Sequence, residues 1–227
     1  MNAALGVERS LSGQAWRWRR PQSEEKLGTA LLDELLLGRG VSAHELDRYR
    51  NPTLRDLLPD PSLFRDMDAA AERVATAVQR GETIAIFGDY DVDGATSSAL
   101  LILLLRQLGV EALVHIPDRQ AEGYGPNLLA LLALKEQGAS LIVTVDCGAQ
   151  AFEPLAGARE AGIDVVVVDH HQCAAALPLC HALVNPNRLD EGETGLSHGH
   201  VAAVGMAFLL GVAPSSTAST APSWRRG

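Results

Sequence analysis

The sequence lacks the features of a membrane, secreted or disulfide-linked protein. Uncharged apolar runs such as Ala99 to Leu105 are far shorter than the roughly 20 residues that a membrane-spanning helix needs. The opening MNAALGVERS has neither the basic segment nor the apolar segment of a signal peptide. Cys147, Cys173 and Cys180 are odd in number and show no CxxC spacing, which suits a reducing compartment. We therefore expect a cytoplasmic protein.

Positive charge is also scarce. The chain has 19 Lys and Arg residues against 28 Asp and Glu residues, which gives a formal net charge of −9 and a pI near 5.2. A protein that coats nucleic acid usually has the opposite balance, because clustered Lys and Arg neutralise the phosphates. This counts against DNA binding by the chain as a whole. It does not exclude an active site in which metal ions supply the positive charge.

The composition is otherwise that of a globular protein. Of the 227 residues, 47% are apolar, which excludes disorder of the whole chain. At roughly 100–200 residues per domain, the length allows one sizeable domain with an appendage, or two small domains.

The N-terminal part has the pattern of a small helical region. After an irregular arm, apolar residues at helical spacing predict a helix over Glu24–Leu37. Ser42 and Glu45 form a capping-box pattern that opens a second short helix before Pro52. Pro52 to Pro61 has the pattern of a connector. We assign residues 1–62 to an N-terminal arm and helical region.

Short β-branched runs then alternate with helical stretches, after an Ala-rich helix at Asp66 to Arg80 that is closed by Gly81. The predicted strands are Thr83–Phe87, Ala112–Ile116, Leu141–Val145 and Val165–Val168. The helices between them are Ala95–Leu108, Asn127–Gln137 and Glu153–Ala161. The spacing is close to the length of a βαβ unit, and apolar strands without polar interruption indicate burial on both faces. The pattern predicts an α/β fold, a Rossmann-like parallel sheet with helices on both faces.

A change of character marks the end of this pattern. A last helix at Val201–Leu210 follows the loop Gly192–His200, so we place the α/β domain at residues 63–210. Residues 211–227, GVAPSSTASTAPSWRRG, consist mainly of Ala, Ser, Thr and Pro. We expect them to be an irregular, disordered tail.

Metal-ligating residue types follow three of the predicted strands. They are Asp89, Asp91 and Asp93 in GDYDVDG, Asp146 in DCG, and Asp169, His170 and His171. Because the carboxyl ends of parallel strands share one edge of a sheet, we expect these side chains to meet there. So much negative charge is costly unless a cation neutralises it. Asp and His donors suit Mn²⁺, Mg²⁺ or Fe²⁺, whereas no cysteine pair indicates structural zinc.

Each motif alone has other interpretations. The DxDxDG segment resembles a Ca²⁺ loop, but counting from Asp89 the twelfth position is Leu100 rather than glutamate. It also resembles the motif of haloacid-dehalogenase-like phosphatases, which is disfavoured because three residues separate the strand from Asp91. A turn with a helix cap, a packed strand-end histidine and a small buried Cys147 are structural alternatives. Three clusters at three strand ends together favour a metal site.

These motifs carry a family resemblance. GDYDVDG, VTVDCGA and the Asp-His-His sequence after a buried strand resemble the DHH phosphoesterase superfamily. FGDYDVDGATSSALL, IPDRQAEGYGPN, LVNPNR and NPTLRDLLPDP resemble, within it, the bacterial RecJ-type exonucleases that act on single strands. The resemblance extends from about Gly6 to Leu210.

The resemblance implies two divalent cations, Mn²⁺ or Mg²⁺, that share Asp146 as a bridging ligand. Asp91 would bind one ion, and Asp93 with His170 would bind the other. Asp89 would be a further ligand or a hydrogen-bonding partner of one. It also implies that Asp169 orients the two histidines and that His171 contacts the scissile phosphate.

The implied activity is a metal-dependent 5′→3′ exonuclease that acts on single-stranded DNA in repair and recombination, without a nucleotide cofactor. Arg119 is the best candidate for a contact to phosphate, because a guanidinium binds phosphate with two hydrogen bonds. A surface ion pair between Arg119 and Glu122 is an equally good interpretation.

The family pattern continues beyond this sequence, with a further metal-binding aspartate and DNA-gripping domains. We therefore expect an N-terminal fragment with weak or no processive activity. Two other functions stay open. One is a DHH hydrolase of short oligonucleotides, cyclic dinucleotides or pyrophosphate. The other is a non-catalytic chain that binds a partner through apolar surface at Val201–Leu210.

Overall fold

A computed structural model describes residues 7–17 and 29–213. Contacts divide the chain into two compact units, Met1–Leu58 and Pro59–Gly227. The start of the first predicted helix, at residues 24–28, lies outside the described residues. So does the predicted tail from residue 214 onward.

The first unit contains short helices: α1 at Thr29–Gly38, α2 at Leu46–Arg50 and α3 at Leu54–Leu57. The backbone N–H of Ser42 donates to Oε2 of Glu45 at 3.2 Å, as the capping-box pattern predicts. The expected connector from Pro52 to Pro61 contains α3, because Thr53 Oγ1 accepts from the N–H of Asp56 at 3.2 Å and caps one helical turn. None of the described residues whose burial is resolved in this unit is buried.

The second unit is built on a sheet of five parallel strands. They are β1 at Thr83–Gly88, β2 at Leu113–His115, β3 at Ala139–Val145, β4 at Asp164–Val168 and β5 at Ala182–Val184. Their order across the sheet is β2-β1-β3-β4-β5. The predicted fold class, a Rossmann-like parallel α/β sheet, is confirmed. Strand β5 is not predicted, because its three residues are too few to show a strand pattern.

Helices connect the strands and cover the sheet. They are α4 at Met67–Arg80, α5 at Val92–Gln107, α6 at Leu128–Glu136, α7 at Phe152–Glu160, α8 at Glu193–Leu196 and α9 at Ala203–Val212. Helix α5 begins at Val92 rather than at the predicted Ala95, because Asp91 caps it. Helix α9 extends through Val212, into the segment that we expected to be irregular. The short α8 lies within the predicted loop Gly192–His200.

Two apolar clusters fill the faces of the sheet. Ile84 and Ile86 of β1 pack in a cluster with residues of α4, α5 and α9. Ala85 and Phe87, which alternate with them, pack in the other cluster with residues of α6 and α7. Burial on both faces explains why the central strands are mostly apolar. Among the described residues, no helix combines the length and the apolar character that a membrane span requires.

Candidate metal centre

The candidate site lies at the carboxyl edge of the sheet, where four strands end in register. The last paired residues are Gly88, Val145, Val168 and Val184. The residues that follow them are Asp89, Asp146, Asp169 and Asn185. The N–H groups of the three aspartates donate to the carbonyl oxygens of Val145, Val168 and Val184 at 3.2, 2.9 and 3.0 Å. The strand order reverses between β1 and β3, and open α/β sheets bind ligands at such a point.

The loop between β1 and α5 contains two aspartates, Asp89 and Asp91, whose environments differ. Oδ1 of Asp91 accepts from the N–H groups of Asp93 and Gly94 at 2.8 and 3.1 Å, and these bonds lower the pKa of Asp91. Asp89 is 3% exposed, and its Oδ1 is buried without a hydrogen-bond partner. Burial raises the pKa of Asp89. Asp91 therefore carries a stabilised negative charge, whereas Asp89 has an uncompensated buried oxygen.

Asp93 lies on the first turn of α5 and binds the start of α9. Its Oδ2 accepts from the N–H of Ala203 and its Oδ1 from the N–H of Val204, both at 2.8 Å. The same Oδ2 lies 3.6 Å from Nε2 of His170. The positive end of the α9 dipole favours a carboxylate here. These bonds fix the orientation of Asp93 beside His170.

Asp146 follows β3 with a backbone φ of 61° and is 1% exposed. The hydroxyl of Tyr124 donates to its carbonyl oxygen at 3.1 Å. Its Oδ1 lies 3.3 Å from Nε2 of His170 but makes no hydrogen bond. Burial, together with Asp93 and Asp91, raises the pKa of Asp146 to about 7. A carboxylate in this setting is stabilised by a nearby cation.

The carboxylate of Asp169 makes hydrogen bonds to both histidines. Its Oδ2 accepts from the N–H of Ala149 at 3.0 Å. Its Oδ1 accepts from the N–H of His170 and lies 2.7 Å from Nδ1 of His171. The hydrogen bond to Asp169 raises the pKa of His171 to about 8. Burial opposes ionisation of Asp169, but the bonds from His171 and Ala149 outweigh it and lower the pKa of Asp169.

Two overlapping groups of donor atoms meet the requirements of a cation site. One consists of Asp89, Asp91 and Asp146, and the other of Asp146, His170 and His171; within each group the donor atoms lie within 4.8 Å of one another. Asp146 belongs to both groups. The unpartnered Oδ1 atoms of Asp89 and Asp146 are buried oxygens that a cation would satisfy. Oxygen and imidazole donors suit Mn²⁺ or Mg²⁺, so these residues fit two divalent ions.

Most of the predicted site residues meet in these groups, and three lie beside them, namely Asp93, Asp169 and Arg119. Asp93 contacts His170 but lies outside both groups, and its carboxylate accepts two N–H groups of α9. The guanidinium of Arg119 lies 5.2 Å above the ring of Tyr90, on the exposed rim of the site. Glu122, its alternative partner, instead lies 2.9 Å from Nε2 of His115. Cys147 is buried, as expected.

Three further residues, Tyr124, Asn185 and Asn187, contact the site without having been predicted as site residues. The Tyr124 hydroxyl lies 3.3 Å from Nδ1 of His171. The side-chain amides of Asn185 and Asn187 donate to the backbone of the histidine pair. The signal for both asparagines is the polar segment NPNR after an apolar run, but β5 is too short to be identified as a fifth strand from the sequence.

Comparison with known proteins gives the same fold. The family described as "DHH family, N-terminal domain" matches residues 83–221. The single-stranded-DNA-specific exonuclease RecJ of Bacillus subtilis is 37% identical over 208 residues, which are 88% of this chain and 26% of that protein. RecJ of Escherichia coli is 38% identical over 182 residues, which are 79% of this chain and 30% of that protein. The chain thus spans between a quarter and a third of the length of these two relatives.

Solved structures of RecJ exonucleases also match this chain. RecJ of Thermus thermophilus in complex with Mn²⁺ matches with a TM-score of 0.59 and 30% identity, covering 78% of this chain and 23% of that one. An exonuclease RecJ bound to manganese also matches with a TM-score of 0.59 and 30% identity, covering 70% and 40% of the respective chains.

Proposed function

Because this chain belongs to the DHH family, we propose that it is a metal-dependent phosphodiesterase that removes nucleotides from the 5′ end of single-stranded DNA. The observation that carries the proposal is the register of four strand ends, which gathers carboxylates and imidazoles at one edge of the sheet. The similarity to RecJ exonucleases supports the choice of substrate. A cytoplasmic role in DNA repair and recombination follows from that choice.

We assign the ligands of two divalent ions from the two donor groups. Asp146 would belong to both sites, Asp89 and Asp91 would hold one ion, and His170 would hold the other together with Asp93, whose Oδ2 lies 3.6 Å from its Nε2. Asp93 has lone pairs to spare, because a carboxylate offers about four acceptor positions and α9 uses two of them. When bound, the ions supply Lewis-acid stabilisation of the charge on the attacking and leaving oxygens of a phosphodiester.

The remaining site residues bind and orient the substrate. Asp169 fixes the ring of His171 and raises its pKa to about 8, so the imidazole carries a proton at neutral pH and donates to a phosphate oxygen. Arg119, at the exposed rim, binds a second phosphate of the strand with two parallel hydrogen bonds. Tyr124 holds the backbone of Asp146 in its left-handed conformation through the hydroxyl bond to the carbonyl oxygen.

The acidic composition is compatible with this function. The net charge of −9 repels a polyanion at long range. Two divalent ions would neutralise the four carboxylates assigned as their ligands and so remove the repulsion locally. Productive contact with DNA at this edge therefore depends on bound metal and on the cationic Arg119 and His171.

The test combines metal binding with hydrolysis. We expect calorimetry to detect Mn²⁺ binding to the chain, and Mn²⁺-dependent release of mononucleotides from single-stranded DNA labelled at its 5′ end. Asp146→Asn should abolish both signals. The matched control is Asp164→Asn, which changes a half-exposed carboxylate at the opposite end of the same sheet. It should bind Mn²⁺ as the wild type does.

Two results would contradict the proposal. One is the absence of Mn²⁺ binding by the folded chain. The other is hydrolysis that persists in EDTA or in Asp146→Asn. Faster turnover of dinucleotides than of long strands would instead favour a hydrolase of short oligonucleotides and would overturn the choice of substrate.

A further inference from the structure

The segment Asn185–Arg188 follows β5 directly and holds the backbone of the histidine pair. Nδ2 of Asn185 donates to the carbonyl oxygen of His171 at 2.8 Å. Nδ2 of Asn187 donates to the carbonyl oxygen of His170 at 2.6 Å. The backbone N–H of Asn187 donates to Oδ1 of Asn185 at 2.8 Å. Each histidine of the candidate site thus has one side-chain amide bound to its carbonyl.

The segment itself is firmly anchored. Pro186 separates the two asparagines and restricts the backbone φ between them. Asn185 is fully buried. The buried guanidinium of Arg188 donates to the carbonyl oxygen of Leu183 at 2.6 Å and to Oδ2 of Asp66 at 2.7 Å. The two amides are therefore held by packed structure, and they can in turn fix what they bind.

Asn187 makes a second bond that reaches another part of the site. Its Nδ2 also donates to the carbonyl oxygen of Gly199 at 3.0 Å, in the turn that precedes α9. A Cβ at position 199 would lie 2.5 Å from Oδ1 of Asn187, so any larger residue there would displace the Asn187 side chain. The N-terminus of α9 binds both oxygens of Asp93. One amide group therefore links the backbone of His170 to the helix that holds Asp93.

This link closes a ring of contacts around one candidate metal position. Nε2 of His170 and Oδ2 of Asp93 lie 3.6 Å apart, although the two residues come from different strand ends. The position of the His170 imidazole depends on the backbone of His170, to which Asn187 is hydrogen-bonded. The carboxylate of Asp93 is oriented by its hydrogen bonds to the start of α9. Asn187 also binds the turn before α9, at the carbonyl oxygen of Gly199.

We propose that Asn187, supported by Asn185, is a positioning residue that sets the distance between His170 and Asp93 and thereby the affinity of the site for a divalent cation. The part that concerns affinity rests on the proposed function, since it requires that the site binds metal. The geometric part does not, because the contacts are formed by protein groups alone. Groups that orient metal ligands typically change metal affinity 10- to 100-fold when they are altered.

The decisive variant is Asn187→Asp, which keeps the size of the side chain but places a carboxylate oxygen against two carbonyl oxygens. We expect the imidazole ¹⁵N resonances of His170 to shift in the metal-free protein. We also expect Mn²⁺ to bind about 10- to 100-fold more weakly by calorimetry. The matched control is Gln150→Glu, which also loses an amide bond to a backbone carbonyl, that of Gln172 at 2.8 Å, and gains the same charge. It should leave the His170 resonances and Mn²⁺ binding as in the wild type.

The outcomes separate this proposal from the proposed function. If Asn187→Asp lowers only the unfolding temperature and leaves the His170 resonances unchanged, Asn187 serves the fold alone and the proposal is wrong. Equal effects of Asn187→Asp and Gln150→Glu would also overturn it, because charge alone would explain them. If the wild type binds no Mn²⁺, the proposed function fails, and the metal-free resonances still decide the role of Asn187.

A measurement on the wild type covers the case in which Asn187→Asp does not fold. Scalar couplings across hydrogen bonds join Nδ2 of Asn187 to the carbonyl carbons that it contacts. Couplings to both His170 and Gly199 would support the link. The absence of either coupling would overturn it.

Discussion

Replacing Arg188 with methionine tests how the NPNR segment is anchored to the rest of the domain. The side chain of Arg188 is 5% exposed, and its guanidinium donates to Asp66, to the carbonyl oxygen of Leu183 and, through two nitrogens, to Asp190. Methionine fills similar apolar space but donates no hydrogen bond. The substitution therefore removes the polar contacts with little change in packing.

The expected loss of stability in Arg188→Met depends on how exposed each hydrogen-bond partner of Arg188 is. The carbonyl of Leu183 is buried, and losing its charged donor costs about 1–3 kcal/mol. The side chains of Asp66 and Asp190 are 43% and 50% exposed, so they regain water and each pair adds only about 0.2–1 kcal/mol. We expect Arg188→Met to lower the free energy of unfolding by about 3 kcal/mol. For a chain of this size that corresponds to a fall in Tm of about 6–12 °C.

Urea denaturation and thermal melts of the wild type and Arg188→Met measure this difference. Arg159→Met, at an exposed arginine on α7, is the control for removing a positive charge. It should change the free energy of unfolding by less than about 0.5 kcal/mol. A loss below about 1 kcal/mol in Arg188→Met would refute the reasoning, because the buried carbonyl must then find another donor.

Three further outcomes follow from the same structure. Gly94→Ala should prevent stable folding, seen as loss of the cooperative melt, because its Cβ would lie 2.4 Å from the carbonyl oxygen of Asp89. The hydrogen bond from Arg188 lowers the pKa of Asp190. This pair therefore stabilises the fold above the unfolded pKa of Asp190, and the stabilisation is lost as pH falls through the folded pKa. Thermal melts of wild type and Asp190→Asn should consequently show equal stability in acid. Burial raises the pKa of Asp146 to about 7. Ionisation of Asp146 therefore destabilises the metal-free fold above the unfolded pKa of this residue. In EDTA, Asp146→Asn should have a higher Tm than the wild type at pH 8, and the difference should vanish below about pH 4.

Sequence periodicity predicted the strands that are buried on both faces, because an apolar run such as Leu141–Val145 has few alternatives in a chain of this length. Because both residues directly follow such runs, the sequence also predicts that Asp146 and Asp169 lie at one edge of the sheet. The prediction failed where the local signal was short. The strand Ala182–Val184 has only three residues, and its pairing with β4 supplies the stabilisation that its own sequence does not.

Long-range contacts could not be predicted for another reason. The sequence predicts Asp93 only as a candidate metal ligand and not as a partner of α9, because the start of α9 lies 110 residues further along the chain. The polar NPNR segment does not reveal what its asparagines bind, since an amide that binds a backbone carbonyl looks the same in sequence as one in a turn. Geometry alone shows that Asn187 contacts both His170 and Gly199.

The register of the strand ends determines where this fold tolerates insertions and deletions. The spacing of Asp89, Asp146 and Asp169 is that of neighbouring strands, about 4.8 Å, so it does not depend on the lengths of the helices and loops between them. Connections at the opposite edge can lengthen or shorten without moving a candidate ligand. A single deletion within β3 would displace Asp146 by about 3.3 Å and turn it toward the other face of the sheet. Variation in chain length among related proteins should therefore fall in the connections and spare the strands.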